Sequence, residues 1–256
     1  MLRALIFDVD GTLADTERDG HRVAFNRAFA EHGLDWYWDD ARYGELLRVA
    51  GGRERLAHFI GTDAAHIPAA DRDALARVLH ARKTRHYVDL VAAGAVRLRP
   101  GVARLLAEAR GAGLTLAIAT TTSRANIDAL LDCALPAALR GGFAVIAGAE
   151  DAARKKPDPQ VYRVALDRLR LAPAECLALE DSQAGLQAAR AADIATVVTL
   201  NAYTRAQDFS GALAVVSDLG EPAVPACALA GLALRGACVD VAQLRAWHAG
   251  AAFPDR

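Results

Sequence analysis

Ala4-Leu5-Ile6-Phe7-Asp8-Val9-Asp10-Gly11-Thr12-Leu13 is the stretch on which the fold turns. Four apolar residues without alternation read as a short strand buried on both faces. The run stops at Asp8, and Gly11 lets the chain turn without a side-chain clash. Ligands of open parallel sheets gather beyond the carboxyl ends of the strands, which is where Asp8 and Asp10 stand. Two carboxylates two residues apart in a tight turn repel each other, so they call for a cation or for one retained proton.

Beyond this turn the pattern becomes helical. From Thr16 to about Val91, apolar residues recur at helical spacing, as in Phe25, Ala28 and Phe29, then Leu56, Phe59 and Ile60, then Leu75, Val78 and Leu79. A helix carrying Leu46 and Leu47 is capped by Asp39 or Asp40 and stopped at Gly51-Gly52. After Gly94, strands are predicted over 114–120, 143–147, 176–179, 196–200 and 213–216. Helices are predicted from Pro100 to Gly111 and over 124–131, 159–169 and 183–192.

This alternation predicts an α/β fold: a Rossmann-like parallel sheet core with helices on both faces, plus an inserted all-helical domain. The expected domains are 1–15 with 92–220 as the core, 16–91 as the helical insertion, and 221–256 as a tail with a helix over 241–247. An insertion joined by two crossings is built like a movable lid.

Composition narrows the function. Thirty basic against 31 acidic residues leave a net charge of −1, without the positive field of a general nucleic-acid binder. The four cysteines form no C-x-x-C pair and suit a reducing compartment. No apolar run reaches the roughly 18 residues of a membrane span. The first run ends at Asp8, too early for a signal peptide, so the expected location is cytoplasmic.

Three later segments carry complementary chemistry. Thr120 ends the second core strand and is followed by Thr121, Thr122 and Ser123, whose hydroxyls can bond phosphoryl oxygens or cap the next helix. Lys156, ahead of Pro157, can neutralise phosphate charge. Leu177-Ala178-Leu179-Glu180-Asp181-Ser182 is a second apolar strand ending in acids, and Asp181 would face the same sheet end as Asp8. Acid, hydroxyl, ammonium and acid thus follow in one chain order.

That set resembles the four motifs of the haloacid dehalogenase superfamily of phosphohydrolases, over about residues 1 to 200. The helical insertion is similar to the family's small helical cap. Within the superfamily, Asp10-Gly11-Thr12-Leu13-Ala14-Asp15-Thr16-Glu17, His21-Arg22-Val23-Ala24-Phe25-Asn26 and Val49-Ala50-Gly51-Gly52-Arg53-Glu54-Arg55 resemble the CbbY-type phosphatases. So does Leu244-Arg245-Ala246-Trp247-His248. Two departures stand out: Arg18-Asp19-Gly20 is one residue longer than in some relatives, and Arg53 stands where many carry Lys.

The resemblance implies hydrolysis of a sugar phosphate, xylulose 1,5-bisphosphate above all, an inhibitor of carbon fixation. Asp8 would be the nucleophile, since a carboxylate needs no activating base. Asp10 would act as acid and then base, which requires surroundings that keep it protonated before attack. Thr120 and Lys156 would hold phosphoryl oxygens. Mg²⁺ would be held by Asp8, Asp181 and the Asp10 carbonyl, with Glu180 orienting the site. For the rest of the substrate, Arg53 and Lys83 are the candidate phosphate holders, and Glu17 and His21 the hydroxyl partners, joined by Thr121 and Thr122. The expected partner is a small phosphosugar bound by a monomer. Competing expectations are a β-phosphoglucomutase-like mutase, a phosphoglycolate phosphatase and a non-catalytic sugar-phosphate sensor.

Overall fold

Strand β1 (Ala4–Phe7) is buried along its whole length, with Ala4 and Ile6 on one face and Leu5 and Phe7 on the other. That double burial requires layers on both sides, and the computed structural model of the protein, which describes residues 1–251, supplies them. The strands are β1, β2 (Thr115–Ala119), β3 (Phe143–Ala147), β4 (Cys176–Glu180), β5 (Ala195–Thr199), β6 (Ala214–Val216) and β7 (Ala228–Gly231). They form one sheet in the order β3-β2-β1-β4-β5-β6-β7, parallel except for β7.

The helices are α1 (Arg22–Glu31), α2 (Asp40–Leu46), α3 (Gly52–Thr62), α4 (Ala69–Ala92), α5 (Val102–Gly111), α6 (Arg124–Ala134), α7 (Gln160–Leu169), α8 (Gln183–Arg190) and α9 (Val241–Ala249). The chain divides into two units. One comprises Met1–Ala14, Leu98–Thr121 and Leu135–Arg256, and holds the sheet. The other comprises Asp15–Arg97 and Thr122–Ala134, and is helical.

On one face of the sheet, Ala4, Ile6, Ala117, Ala119 and Ala178 pack against Val161, Tyr162, Ala165 and Leu166 of α7. Small strand residues let the helix approach closely, and its buried positions fall on a single stripe. The helical unit has an aromatic core. Trp38 contacts Phe25, Phe29 and Phe59 at ring separations of 4.8, 4.9 and 5.2 Å. Asn26 fixes Trp38 by accepting from its N–H at 2.8 Å and donating to its carbonyl at 2.9 Å.

The structure departs from expectation in three places. Thr122–Ala134, expected in the core, falls in the helical unit. Pro100 does not open α5: Gly101, at φ 80°, precedes a helix that starts at Val102. The tail belongs to the sheet unit, because Arg104 donates to the carbonyls of Leu219, Gly220 and Val239, and Glu108 accepts from Val241 N–H. Within it, β7 pairs antiparallel with β6, a strand that Ala-Leu-Ala-Gly, without β-branched residues, does not announce.

Candidate active site

Sheet register assembles the site. Phe7 is level with Ile118 of β2 and with Leu179 of β4, so the next residues, Asp8, Ala119 and Glu180, lie side by side on three adjacent strands. Lys156 Nζ closes the group, donating to Asp8 Oδ1 at 2.6 Å, Glu180 Oε1 at 2.6 Å and the Ala119 carbonyl at 2.9 Å. All three ammonium protons are thereby used. Beneath it, Tyr162 donates to Glu180 Oε1 at 2.5 Å, and its ring lies 5.1 Å from the ammonium.

Asp181 follows Glu180. It could have capped α8, but Ser182 does so, accepting from Gly185 N–H at 3.1 Å. The Asp181 carboxylate is therefore left for the site. Asp8, Glu180 and Asp181 are all buried, and each offers an oxygen within 4.8 Å of the others. Gly185 keeps room for this arrangement, because a β-carbon there would stand 1.9 Å from Glu180 Oε2.

The charges do not balance. Burial raises the Asp8 carboxyl to about 7, with Lys156 opposing and the charges of Glu180 and Asp10 adding to the rise. Burial likewise raises Asp181 well above the usual carboxylate range, reinforced by Asp8 and Glu180 and opposed by Arg99 and Lys156. Burial disfavours the Lys156 charge, but Asp8 and Glu180 outweigh it and hold the ammonium above the usual lysine range. Excess buried negative charge, on hard oxygen donors only, suits a divalent cation of the Mg²⁺ or Ca²⁺ type.

The other predicted residues fall as follows. Asp10 is partly exposed in the turn after Asp8 and outside the buried trio. Thr120 is buried beyond β2, and its N–H donates to the Ala147 carbonyl at 3.0 Å. Thr121 closes that segment of the sheet unit, whereas Thr122 belongs to the helical unit, where its hydroxyl accepts from Asn126 at 3.3 Å.

In the helical unit, Glu17 and His21 bound a single π-helical turn, Glu17–His21. Such single turns are rare and recur at functional sites. His21 stacks on Tyr87 at 4.1 Å, and only glycine fits at 20, since a β-carbon would stand 2.9 Å from the Tyr87 ring. Lys83 is buried between the rings of Phe25 and Tyr87, 5.3 and 5.2 Å away. Arg53 is exposed, 3.8 Å from Asp73.

Sequence reasoning passed over Arg55, which is buried two positions later. It donates to the Tyr43 hydroxyl at 3.0 Å and to the Leu46 carbonyl at 3.2 Å, while Tyr43 donates to Glu17. It also passed over Tyr162, Asn201 and Arg99. Arg99 gathers the carbonyls of Gly11, Thr199, Leu200 and Ser217. Burial for Arg55, Arg99 and Tyr162, and contact with Asp181 for half-buried Asn201, are the signals that would have found these residues, and a single sequence displays neither for polar side chains.

Sequence and fold both match known hydrolases. Residues 2–193 match the family described as haloacid dehalogenase-like hydrolase. The chain belongs to the haloacid dehalogenase-like hydrolases. It is 54% identical over 251 residues to the plasmid protein CbbY of Cupriavidus necator, covering 97% of this chain and 98% of that one. Crystal structures of CbbY from Rhodobacter sphaeroides superpose with TM-score 0.76 at 46% identity, over 85% of this chain and 95% of that one, in a complex with phosphate. A mutant of that protein, in complex with xylulose-(1,5)bisphosphate, superposes equally at 45% identity. This haloacid dehalogenase-like hydrolase is a phosphatase of the CbbY type. Among its described residues, no helix is long and apolar enough to cross a membrane.

Proposed function

We propose that this phosphatase hydrolyses a sugar bisphosphate, xylulose 1,5-bisphosphate, through a phosphoryl-aspartate on Asp8. The observation that carries the chemistry is the buried group of Asp8, Lys156, Glu180 and Asp181 at the carboxyl ends of adjacent strands. The ligand of the Rhodobacter sphaeroides CbbY mutant supports the choice of substrate.

An Asp8 carboxylate oxygen attacks phosphorus as the bond to the sugar oxygen breaks, and Asp10 gives that oxygen a proton. Water then attacks the phosphorus, the bond from phosphorus to the Asp8 oxygen breaks to free the carboxylate and release phosphate, and Asp10 takes the water's proton. Lys156 favours the ionised form of Asp8 against its burial and orients it, and its contact to a phosphoryl oxygen replaces one of its three present bonds. Glu180, held by Lys156 and Tyr162, positions that ammonium. Asp8, Asp181 and the Asp10 carbonyl are the residues that would hold Mg²⁺. When bound, the ion neutralises the charge of the phosphoryl oxygens.

Residues 16–91 act as the specificity cap in this reading. Their buried cations, Arg55 and Lys83, are better suited to a second phosphate than exposed Arg53, because a desolvated charge attracts an anion more strongly. The test is phosphate release from a panel of sugar mono- and bisphosphates with Mg²⁺ and with EDTA. Release that persists in EDTA would remove the ion from the mechanism. Within that panel, Arg55→Ala lowers kcat/KM for the bisphosphate by about 10–150-fold, the equivalent of roughly 1.5–3 kcal/mol for a charge-assisted contact. It leaves a small aromatic phosphomonoester nearly untouched, and Arg53→Ala changes both little. Equal losses on the two substrates would sink the assignment of Arg55.

Ion binding also has a pH signature. The unfolded chain releases the Asp8 proton near pH 4, whereas the folded metal-free protein keeps it to about 7. Asp8's contribution to stability is therefore full below about pH 4 and is lost as pH rises through about 7. A cation binds the ionised form and displaces the proton. The rise in Tm on adding saturating Mg²⁺ is accordingly larger at pH 8 than at pH 5.5, by scanning calorimetry. An equal or smaller rise at pH 8 contradicts ion binding at Asp8 and Asp181.

A further inference from the structure

We propose that Asn201 is a positioning residue for divalent-cation binding: its side-chain amide fixes the orientation of the Asp181 carboxylate. The inference rests on the reading of Asp181 as a cation ligand and extends it to a residue outside the four sequence motifs.

Asp181 lies just beyond β4 and does not cap α8, so its carboxylate needs another source of orientation. Among the described residues, the hydrogen bond it accepts comes from Asn201 Nδ2, at 2.6 Å to Oδ2. The contact follows from topology. β4 and β5 are parallel neighbours with Glu180 level with Val198, so the segments beyond their ends converge.

The amide is itself held in one orientation. Asn201 Oδ1 accepts from Tyr203 N–H at 2.9 Å, and the Asn201 N–H donates to Thr204 Oγ1 at 3.1 Å. A flipped amide would lose the Tyr203 bond and set its oxygen against the carboxylate, so the donor must face Asp181. The pair is also walled in. Gly11, at φ +88°, lies so close that a β-carbon there would stand 2.4 Å from Asp181 Oδ2 and 2.5 Å from Asn201 Nδ2. The Gly11 carbonyl is in turn held by Arg99, which reaches the same β5 end through Thr199 Oγ1 at 2.9 Å. A carboxylate boxed in this way keeps one rotamer before the ion arrives. Removing the partner that orients a ligand typically weakens metal binding about 10–100-fold.

The variant that isolates this role is Asn201→Ser. A serine hydroxyl can still accept from Tyr203 N–H and keep the turn, but it is too short to reach Asp181. Asn201→Ala is the second variant, should serine disturb the turn, and Asp181→Asn is the reference. The probe is Mn²⁺ alone, titrated into each protein without substrate and read by the loss of the free-ion electron paramagnetic resonance signal. Thermal unfolding followed by circular dichroism reports folding.

The expected result is a Mn²⁺ dissociation constant raised tenfold or more in whichever Asn201 variants fold, with Tm nearly unchanged in Asn201→Ser and binding abolished in Asp181→Asn. A smaller rise in a folded Asn201 variant, with Asp181→Asn still abolishing binding, overturns the role of Asn201 alone. Retained binding in Asp181→Asn overturns the parent reading of the site as well.

Discussion

Asp8→Asn abolishes phosphate release while leaving the fold intact. Asparagine keeps the shape of the side chain and can still accept from Lys156, but its amide cannot attack phosphorus at a useful rate. Loss of a covalent nucleophile costs on the order of 10⁴–10⁶ in kcat. Stability moves the other way. Asp8 is a buried acid already pushed up to about 7, so replacing it with a neutral group relieves repulsion from Glu180 and Asp181. The metal-free variant therefore melts at or above the wild-type temperature at pH 8. Phosphate release measured beside a calorimetric scan checks both halves. A variant that retains ordinary turnover would remove Asp8 as the nucleophile, and one that fails to fold would show that the carboxylate charge is structurally required.

Lys156→Met damages both function and fold. The ammonium lies between two buried carboxylates at 2.6 Å from each, with the Ala119 carbonyl as its third acceptor. Methionine is close in volume but leaves Asp8 and Glu180 facing each other without a counter-charge. Breaking a buried pair by removing one partner typically costs about 3–5 kcal/mol. Activity falls by a factor on the order of 10² or more, as expected for loss of a preorganised charge at a reacting phosphate. The destabilisation is smaller at pH 5 than at pH 8, because protonation of Asp8 removes one of the two uncompensated charges. Denaturant unfolding at the two pH values tests this. A loss of stability independent of pH would mean that packing, and not charge neutralisation, is what Lys156 contributes.

Much of the architecture is written in local patterns. The unbroken apolar runs at 4–7, 116–119 and 176–179 mark strands buried on both faces, because only covered strands tolerate such runs. Helical spacing in 16–91 marks the helical segment, and strand–helix alternation after Gly94 requires a parallel sheet. The candidate residues Asp8, Glu180 and Asp181 were legible for the same reason, since they stand at or just beyond the ends of those patterns, whereas Lys156 lies in the loop between β3 and α7 and was read from its place ahead of Pro157.

Whatever depended on register or burial was not legible. β7 lies at the sheet edge with all four residues exposed, so no apolar pattern marks it. Arg53 and Arg55 are chemically equal in the sequence, and only helix packing leaves one exposed and buries the other beside Tyr43. Tyr162 reads as a core aromatic until its hydroxyl is seen on Glu180. Asn201 reads as a loop residue until β5, pairing beside β4, carries it to Asp181. Sequence by itself determined which acids end the strands of the candidate site, because strand ends and turns are encoded by neighbouring residues. The tertiary structure alone decided which polar groups share a desolvated space, because contacts between residues far apart in the chain arise from strand order and register, which no local pattern records.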